Sequence, residues 1–301
     1  LFSYTKEFDK VEISADTIRV TEKEIQEAYE AVDASLLEVI RKALVNIRSY
    51  HEKQCQNSWF TSSPNGTMLG QKVTPLNRVG VYVPGGKAVY PSSVLMNIVP
   101  AKVAGVPHII MTTPPGKDGR VNPSTLVAAR EAGADEIYKV GGAQAIGALA
   151  YGTASVPKVD KIVGPGNIYV ATAKRKVFGK VGIDMIAGPS EVCVVADETA
   201  DPALVAIDLM AQAEHDPLAS CYLVTFSAEY ADAVEAAVAQ HMKDSTRADI
   251  TTASLDNEGL VVVCNDRLSD GDNRLAVLRK RFRRILDDAG LLDELINRKR
   301  A

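Results

Sequence analysis

Residues 79–86 read VGVYVPGG, a short apolar run that ends in a proline and two glycines. Apolar runs of this length recur along the chain and alternate with segments that have the length and period of helices. The strand patterns lie at residues 79–83, 108–112, 136–140, 161–163, 192–196, 221–226 and 260–264. The helix patterns between them lie at residues 94–103, 126–132, 202–214 and 229–242. This alternation predicts an α/β fold with parallel sheets, whose ligands bind in the loops beyond the carboxyl ends of the strands.

The N-terminal part of the chain carries a helix pattern of its own. Thr21 and Glu24 have the spacing of a capping box, in which each side chain accepts the other residue's backbone N–H. Apolar residues then recur every three or four positions, which predicts one long helix. They are Ile25, Tyr29, Val32, Leu36, Ile40, Leu44 and Ile47. The stretch at 57–70 is rich in Ser, Thr, Asn, Pro and Gly and predicts an exposed connection.

The composition argues against several classes of protein. The chain has 301 residues, 46% hydrophobic and 24% charged, which suits a core of one large or two medium domains. A net charge of −4 argues against nucleic-acid binding by the chain as a whole. No window reaches the ~18 uninterrupted apolar residues of a membrane span. The four cysteines are widely spaced and form no CxxC pair, which indicates free thiols in a reducing cytosol. We therefore expect a soluble cytoplasmic protein.

Glycine-rich turns follow three of the predicted strands. They are Gly85-Gly86, Gly141-Gly142 and Gly164-Pro165-Gly166, with Tyr82, Gln144 and Asn167 beside them. Glycine lets the backbone approach a ligand closely, and the amides at the start of a following helix favour phosphate. One such turn is usually ordinary loop geometry, and the GxGxxG fingerprint of dinucleotide-binding proteins is absent. Three turns at successive strand ends favour a ligand site over that explanation.

A second group of polar residues comprises Ser190, Gln212 and His215. Gln212 and His215 are three positions apart on a predicted helix, which places them on one face near its C-terminal end. Imidazole suits zinc, and an amide oxygen is a weaker ligand. A single histidine at a helix end is more often structural or solvated. The other three histidines have no ligand-like neighbours, so the residues alone do not reveal a complete metal site.

Six segments taken together resemble the histidinol dehydrogenase family, in its order and spacing, over about residues 2–266. They are VGVYVPGG (79–86), YPSSVLM (90–96), VGGAQAI (140–146), VGPGN (163–167), AGPSE (187–191) and QAEHDP (212–217). The resemblance implies a fold of two incomplete Rossmann-like parallel-sheet domains, in agreement with the absent fingerprint. It also implies oxidation of L-histidinol to L-histidine, a step of histidine biosynthesis. The family performs it through a bound aldehyde, with two NAD molecules and one zinc ion (Zn2+) per site.

The resemblance also implies roles for individual residues. Tyr82, Gln144 and Asn167 match the family's NAD-contacting positions. Ser190 matches a substrate-contacting position, and Gln212 and His215 match zinc ligands that also hold the substrate. The expected partners are therefore L-histidinol, as the small-molecule substrate, and a second copy of the chain, because the family forms homodimers.

We predict a division of the chain into three parts. Residues 1–78 together with 192–266 form a first Rossmann-like domain, and residues 79–191 form a second, NAD-binding one. Residues 267–301 form a basic helical tail that does not match the family. Such a tail is consistent with a solvated helix, with an RNA-binding or partner-binding helix, or with a segment that is not the native continuation.

The sequence departs from the family after residue 266. The family's adjacent Glu-His general base and its later Asp and His zinc ligands have no counterpart there, and no histidine follows His241. No catalytic residue is therefore identified, and we expect a truncated chain that is weak or inactive as a dehydrogenase. Two alternatives stay open. One is a non-catalytic NAD-binding or interaction protein derived from this family, and the other is a family member that acts on another small alcohol.

Overall fold

The computed structural model describes residues 1–85, 90–186 and 190–263. The chain divides into two compact units, Leu1–Gly188 and Pro189–Ala301, which we call the first and the second unit. Gly86 of the first glycine turn, residues 187–189 and the predicted tail at 267–301 lie outside the described residues.

The first unit contains seven strands and seven α-helices within its described residues. The strands are β1 (Trp59–Ser62), β2 (Met68–Gln71), β3 (Arg78–Tyr82), β4 (His108–Thr113), β5 (Glu136–Lys139), β6 (Lys161–Val163) and β7 (Gly182–Ile183). The helices are α1 (Phe2–Tyr4), α2 (Glu22–Ala31), α3 (Ala34–Glu52), α4 (Pro91–Val103), α5 (Pro123–Ala132), α6 (Gly142–Tyr151) and α7 (Ile168–Val177). A π-helical turn, Thr5–Asp9, follows α1.

Five parallel strands of the first unit form one sheet in the order β5-β4-β3-β6-β7. The central strand β3 is buried on both faces. Val79, Val81 and Val83 pack into a cluster with α2 to α5, whereas Tyr82 belongs to a second cluster that includes α6 and α7. Helices therefore cover both faces of the sheet, as its near-continuous apolar strands require.

The second unit repeats the parallel arrangement on a smaller scale. Its elements are β8 (Glu191–Val195), α8 (Pro202–Ala213), β9 (Ser220–Thr225), α9 (Ala228–His241), a 3-10 turn (Met242–Asp244), α10 (Ala248–Glu258) and β10 (Leu260–Val263). The strands form a parallel sheet in the order β10-β9-β8. Cys221 and Leu223 of β9 pack against α8 and α9. Together, the two parallel sheets confirm the predicted α/β class.

The predicted strands are present, each within one residue of its expected bounds as far as the described residues extend. Helices α4 and α5 begin three residues earlier than predicted, at Pro91 and Pro123. Proline suits the first position of a helix because its missing N–H would have no partner there. None of the helices in the described residues has the length and apolar character needed to cross a membrane.

The single long helix predicted from Thr21 is wrong, because two helices stand in its place. The capping box is confirmed. The Glu24 carboxylate accepts the N–H of Thr21 (2.8 Å), and the Thr21 hydroxyl accepts the N–H of Glu24 (3.2 Å). Helix α2 then ends where Val32 adopts an extended backbone, and the Asp33 side chain caps α3 by accepting the N–H of Ser35 (2.7 Å). The apolar stripe runs through the break, so its period alone did not reveal it.

The predicted connection at 57–70 is exposed, but it contains the antiparallel hairpin of β1 and β2. Its turn passes through Gly66, whose φ of +84° is readily adopted by glycine. Trp59, Phe60 and Met68 are exposed on these strands. The Ser, Thr, Asn, Pro and Gly content of the stretch predicted an exposed connection and did not reveal the two short strands.

Residues 1–78 belong to the first unit, whereas the sequence analysis grouped them with 192–266. Hydrogen bonds explain the observed grouping. The N–H of Val20 donates to the carbonyl of Ile137 in β5 (2.9 Å), and the buried Lys139 ammonium bonds the Glu24 carboxylate (2.8 Å). These bonds attach the start of α2 directly to the edge strand of the larger sheet.

The capping box generates a stability prediction. Thr21→Ala removes the side-chain acceptor at the N-terminus of α2, which should lower the free energy of unfolding by about 1 kcal/mol. Urea denaturation followed by circular dichroism measures the change. Thr74→Ala, at an exposed position outside any helix or strand, serves as the matched control. Equal unfolding midpoints for Thr21→Ala and wild type would contradict the prediction.

Candidate functional site

The first sheet reverses its strand order at β3. From β3 the chain adds β4 and β5 on one side, and it then returns to add β6 and β7 on the other side. In open parallel sheets, such a reversal forms a crevice beyond the carboxyl ends of the two strands that flank it. These strands are β3 and β6. Gly85 after β3 and the glycine-rich turns after β5 and β6 all lie at this edge of the sheet.

Tyr82 joins the end of β3 to the start of α6. It is the last residue of β3 and is only 3% exposed. Its hydroxyl accepts a hydrogen bond from the backbone N–H of Gly142 (3.1 Å). Burial raises the pKa of Tyr82, and the charge of Asp9 adds to the rise. The hydroxyl is therefore neutral at pH 7 and retains a proton to donate to a ligand.

Gln144 lies over the same turn, half-buried in the first turn of α6. Gly142 has a φ of +66°, and a Cβ placed there would lie 2.7 Å from the side-chain oxygen of Gln144. A side chain at position 142 would therefore strain the backbone and displace Gln144. The structure thus places the side chains of Tyr82 and Gln144 next to the same residue, Gly142.

The turn after β6 lies against the end of β3. Gly164 has a φ of +112°, and a Cβ there would stand 2.0 Å from the carbonyl oxygen of Tyr82. This turn leads to the exposed Asn167, which caps α7: its side-chain oxygen accepts the N–H groups of Tyr169 and Val170, both at 3.1 Å. The amide NH2 of Asn167 can donate to a ligand at this helix N-terminus.

Two charged residues that the sequence analysis missed hold the Gly164 turn. The side chain of Lys174 is 1% exposed, and its ammonium donates to the carbonyl of Gly164 (2.9 Å) and to the carboxylate of Asp184. The same carboxylate accepts the N–H of Gly164 (2.8 Å). A sequence signal exists, because Lys174 falls on the buried stripe of α7 between Val170 and Val177.

Asp9 was missed as well, and its carboxylate acts electrostatically on Tyr82. It ends the π-helical turn, and Lys10 after it is the one non-glycine residue with positive φ (+60°) in the described part of the chain. The Oδ2 atom of Asp9 is buried without a hydrogen-bond partner there. Burial raises the pKa of Asp9, so its ionised form destabilises this part of the fold.

Ser190, Gln212 and His215 lie in the second unit, at the amino edge of its sheet. Ser190 immediately precedes β8, and its carbonyl accepts the N–H of Ser220 at the start of β9 (3.3 Å). Helix α8 runs back towards this edge and ends at Ala213, just after Gln212. We expected ligand residues at the carboxyl ends of strands, and these three differ because they precede a strand or end a helix.

His215 lies beyond the helix on which it was predicted. Glu214 is the C-cap of α8, and the N–H of His215 donates to the carbonyl of Gln212 (3.2 Å) in the turn that follows. That bond keeps the two residues adjacent. Together they offer one amide oxygen and one imidazole nitrogen, which is two of the four ligands that zinc usually takes. No group of three His, Cys, Asp or Glu side chains in the described residues is placed to hold a metal ion.

Comparison with known proteins identifies a family that this chain resembles in sequence. A family model described as histidinol dehydrogenase matches residues 1–274. The chain is 59% identical over 261 residues to histidinol dehydrogenase of Bacillus subtilis (strain 168), covering 87% of the chain and 61% of that protein. It is 57% identical over 266 residues to the enzyme of Heliobacterium mobile, covering 88% and 62%.

A solved structure agrees with the sequence relatives. The crystal structure of histidinol dehydrogenase from Elizabethkingia anophelis matches with a TM-score of 0.81 and 38% sequence identity, covering 88% of this chain and 61% of that one. The chain thus spans about three-fifths of the length of the proteins it matches.

The buried Asp9 carboxylate generates a pH-dependent prediction. Because the folded-state pKa of Asp9 is raised, its carboxyl contributes stability that is complete below the unfolded pKa of about 3.9. That contribution is lost as the pH rises through the folded-state pKa. Asp9→Asn removes the charge, so the variant should have a higher thermal unfolding midpoint than wild type at pH 7. The difference should shrink as the pH falls towards 4.

Thermal unfolding from pH 4 to pH 8 measures this effect. Asp16→Asn, at an exposed position of the same unit, is the control and should not show it. A difference between Asp9→Asn and wild type that stays constant with pH, or no difference at pH 7, would contradict the assignment.

Proposed function

This chain belongs to the histidinol dehydrogenase family, and we propose that its protein oxidises L-histidinol to L-histidine with NAD as the hydride acceptor. The proposed activity is that of the whole protein, because this chain spans about three-fifths of the length of its relatives. The observation that carries it is the convergence of Tyr82, Gln144 and the Gly164 turn at the strand reversal of the first sheet.

We infer that this edge binds NAD, which supplies the redox chemistry when bound. The N-termini of α6 and α7 point their backbone N–H groups at this edge and favour the negative charge of the pyrophosphate. Tyr82 would donate a hydrogen bond from its hydroxyl, and Gln144 and Asn167 would form hydrogen bonds through their side-chain amides. The glycines admit the ligand to the backbone, which compensates for the missing GxGxxG fingerprint.

We infer that Gln212 and His215 hold zinc together with ligands from outside the described residues. Zinc bound there would polarise the alcohol oxygen of the substrate and ease its loss of a proton. The C-terminal end of α8 supports a cation electrostatically, because the helix dipole places partial negative charge there. Ser190 lies at the same edge of the sheet and would orient the substrate through its hydroxyl.

Some expectations from the resemblance remain predictions. They concern the identity of L-histidinol as the small-molecule partner and the homodimer. The cytoplasmic location, which was expected from the cysteine pattern, also remains a prediction.

Gln144→Ala tests the proposed NAD site. Loss of the side-chain amide at the α6 N-terminus should weaken NAD binding about 10-fold, since a hydrogen bond to a charged ligand contributes about 1.5 kcal/mol or more. Isothermal titration calorimetry measures the dissociation constant. Gln26→Ala changes an exposed glutamine of α2 and is the matched control. Unchanged affinity in Gln144→Ala would remove this residue from the site.

Turnover tests the reaction itself. Incubation of the whole protein with L-histidinol, NAD and zinc should produce NADH, which is followed by its absorbance. His215→Ala should reduce the rate at least about 100-fold if the imidazole is a zinc ligand, while NAD affinity is unchanged. NAD binding without any NADH formation by the wild type would favour a binding protein over an enzyme.

A further inference from the structure

The buried ammonium of Lys174 requires an explanation that packing does not supply. It lies on the inner stripe of α7, where Val170 and Val177 are also buried, and its side chain is 1% exposed. A charge is costly to bury unless it is paired and hydrogen-bonded. An apolar residue of similar length would fill the space without that cost, so stability alone does not favour a lysine here.

The partners of Lys174 converge on a single residue of the crevice. Its ammonium bonds the carbonyl oxygen of Gly164 (2.9 Å) and the Asp184 carboxylate, and that carboxylate accepts the N–H of Gly164 (2.8 Å). We call Lys174, Asp184 and the backbone of Gly164 the Gly164 clamp. Both hydrogen-bonding groups of this glycine are therefore held by charged side chains.

Asp184, the second side chain of the Gly164 clamp, is itself held by backbone hydrogen bonds. Asp184 directly follows β7, and its N–H donates to the carbonyl of Ile162 in β6 (3.2 Å). Its carboxylate also accepts the N–H of Met185 (2.7 Å). The carboxylate thus stands on the sheet beside the turn that it holds. Lys174 stands on the helix that the same turn precedes.

A displacement of Gly164 would be transmitted to both sides of the crevice. Its φ is +112°, and its α-carbon packs directly against the carbonyl of Tyr82. Three residues later, Asn167 caps the N-terminus of α7. A rotation at Gly164 would therefore move the Asn167 amide and the first N–H groups of the helix together.

We propose that Lys174 and Asp184 are positioning residues that fix the turn at 164–167 in the geometry that receives the dinucleotide. The inference rests on the proposed function for the identity of the ligand. It does not depend on that function for the clamp itself, because the contacts are within the protein. Neither side chain is assigned contact with NAD or substrate.

Two variants and a control test the clamp. Lys174→Met keeps the length of the side chain and removes its charge, which leaves Asp184 partly buried without its cation. Lys174→Met/Asp184→Asn removes both charges and retains an acceptor for the N–H of Gly164, so it avoids a lone buried charge. Lys176→Met changes an exposed lysine of the same helix and is the matched control.

Hydrogen exchange of the protein without ligand provides the first readout. We expect the amides of residues 164 and 166–170 to exchange at least about 10-fold faster in both clamp variants, because one charge-assisted hydrogen bond is lost. The amides of β3 and β4 should keep their wild-type rates in the double variant. Exchange that is unchanged at 164–170, or that rises equally throughout the first unit, would overturn the proposal in favour of a structural role.

Isothermal titration with NAD provides the second readout. The dissociation constant should rise about 10-fold in the double variant even where its thermal unfolding midpoint matches wild type. Faster exchange at 164–170 with unchanged NAD affinity would overturn the positioning role. If the wild type itself does not bind NAD, the proposed function fails, and the exchange readout then decides on the clamp alone.

Discussion

The close contact between Gly164 and the carbonyl of Tyr82 sets the geometry on which the first unit's crevice depends. A Cβ at position 164 would stand 2.0 Å from that oxygen, so the two strand ends approach only because the residue is glycine. Side chains alternate between the two faces of a strand, so Tyr82 points to the other face of the sheet from Val81 and Val83, which is the face covered by α6. Its hydroxyl then reaches the first amide of that helix. These two contacts of Tyr82 thus connect the ends of β3 and β6 with the start of α6.

The other glycine turns use close backbone approach in a similar way. Pro114, which follows β4, packs between Gly85 and Gly141, where a Cβ would lie 2.9 and 2.5 Å from its ring. From the sequence, ligand approach was favoured over ordinary loop geometry as the reason for these glycines. The structure shows that they also allow neighbouring turns to close on each other. Both requirements act at the same positions, since a crevice that admits a phosphate must first be formed by closely packed turns.

Strand positions in the two sheets could be predicted because buried parallel strands read as compact apolar runs, which local sequence reveals. The break between α2 and α3 was harder to predict. Its apolar stripe is continuous, and the decisive residue is a single cap, Asp33. Residues 1–78 were grouped with 192–266 rather than with the first unit for a related reason. The bonds that attach it, from Lys139 to Glu24 and from Val20 to Ile137, join residues more than a hundred positions apart and leave no local pattern.

The site residues likewise divide into those that a local motif reveals and those that only the folded chain reveals. Tyr82, Gln144 and Asn167 stand beside glycine turns, so motif reading finds them, and the structure places all three at one edge of the first sheet. Lys174 and Asp184 belong to no motif. Their role follows from the backbone groups of Gly164, which become visible only when the chain is folded. A lysine on the buried stripe of α7 is the one local sign, and it is recognisable because a buried charge demands a partner.

Helix polarity accounts for the two kinds of ligand that the units are proposed to take. At the crevice of the first sheet, α6 and α7 present their N-termini, where unpaired N–H groups and the helix dipole favour an anion such as a pyrophosphate. In the second unit, Gln212 and His215 lie at the C-terminus of α8, where carbonyl groups and the opposite end of the dipole favour a cation. Parallel strand–helix units place helix N-termini at one edge of a sheet and C-termini at the other. The proposed dinucleotide site and the proposed zinc site can therefore both be built from parallel strand–helix units, one at the carboxyl edge of a sheet and the other at the amino edge.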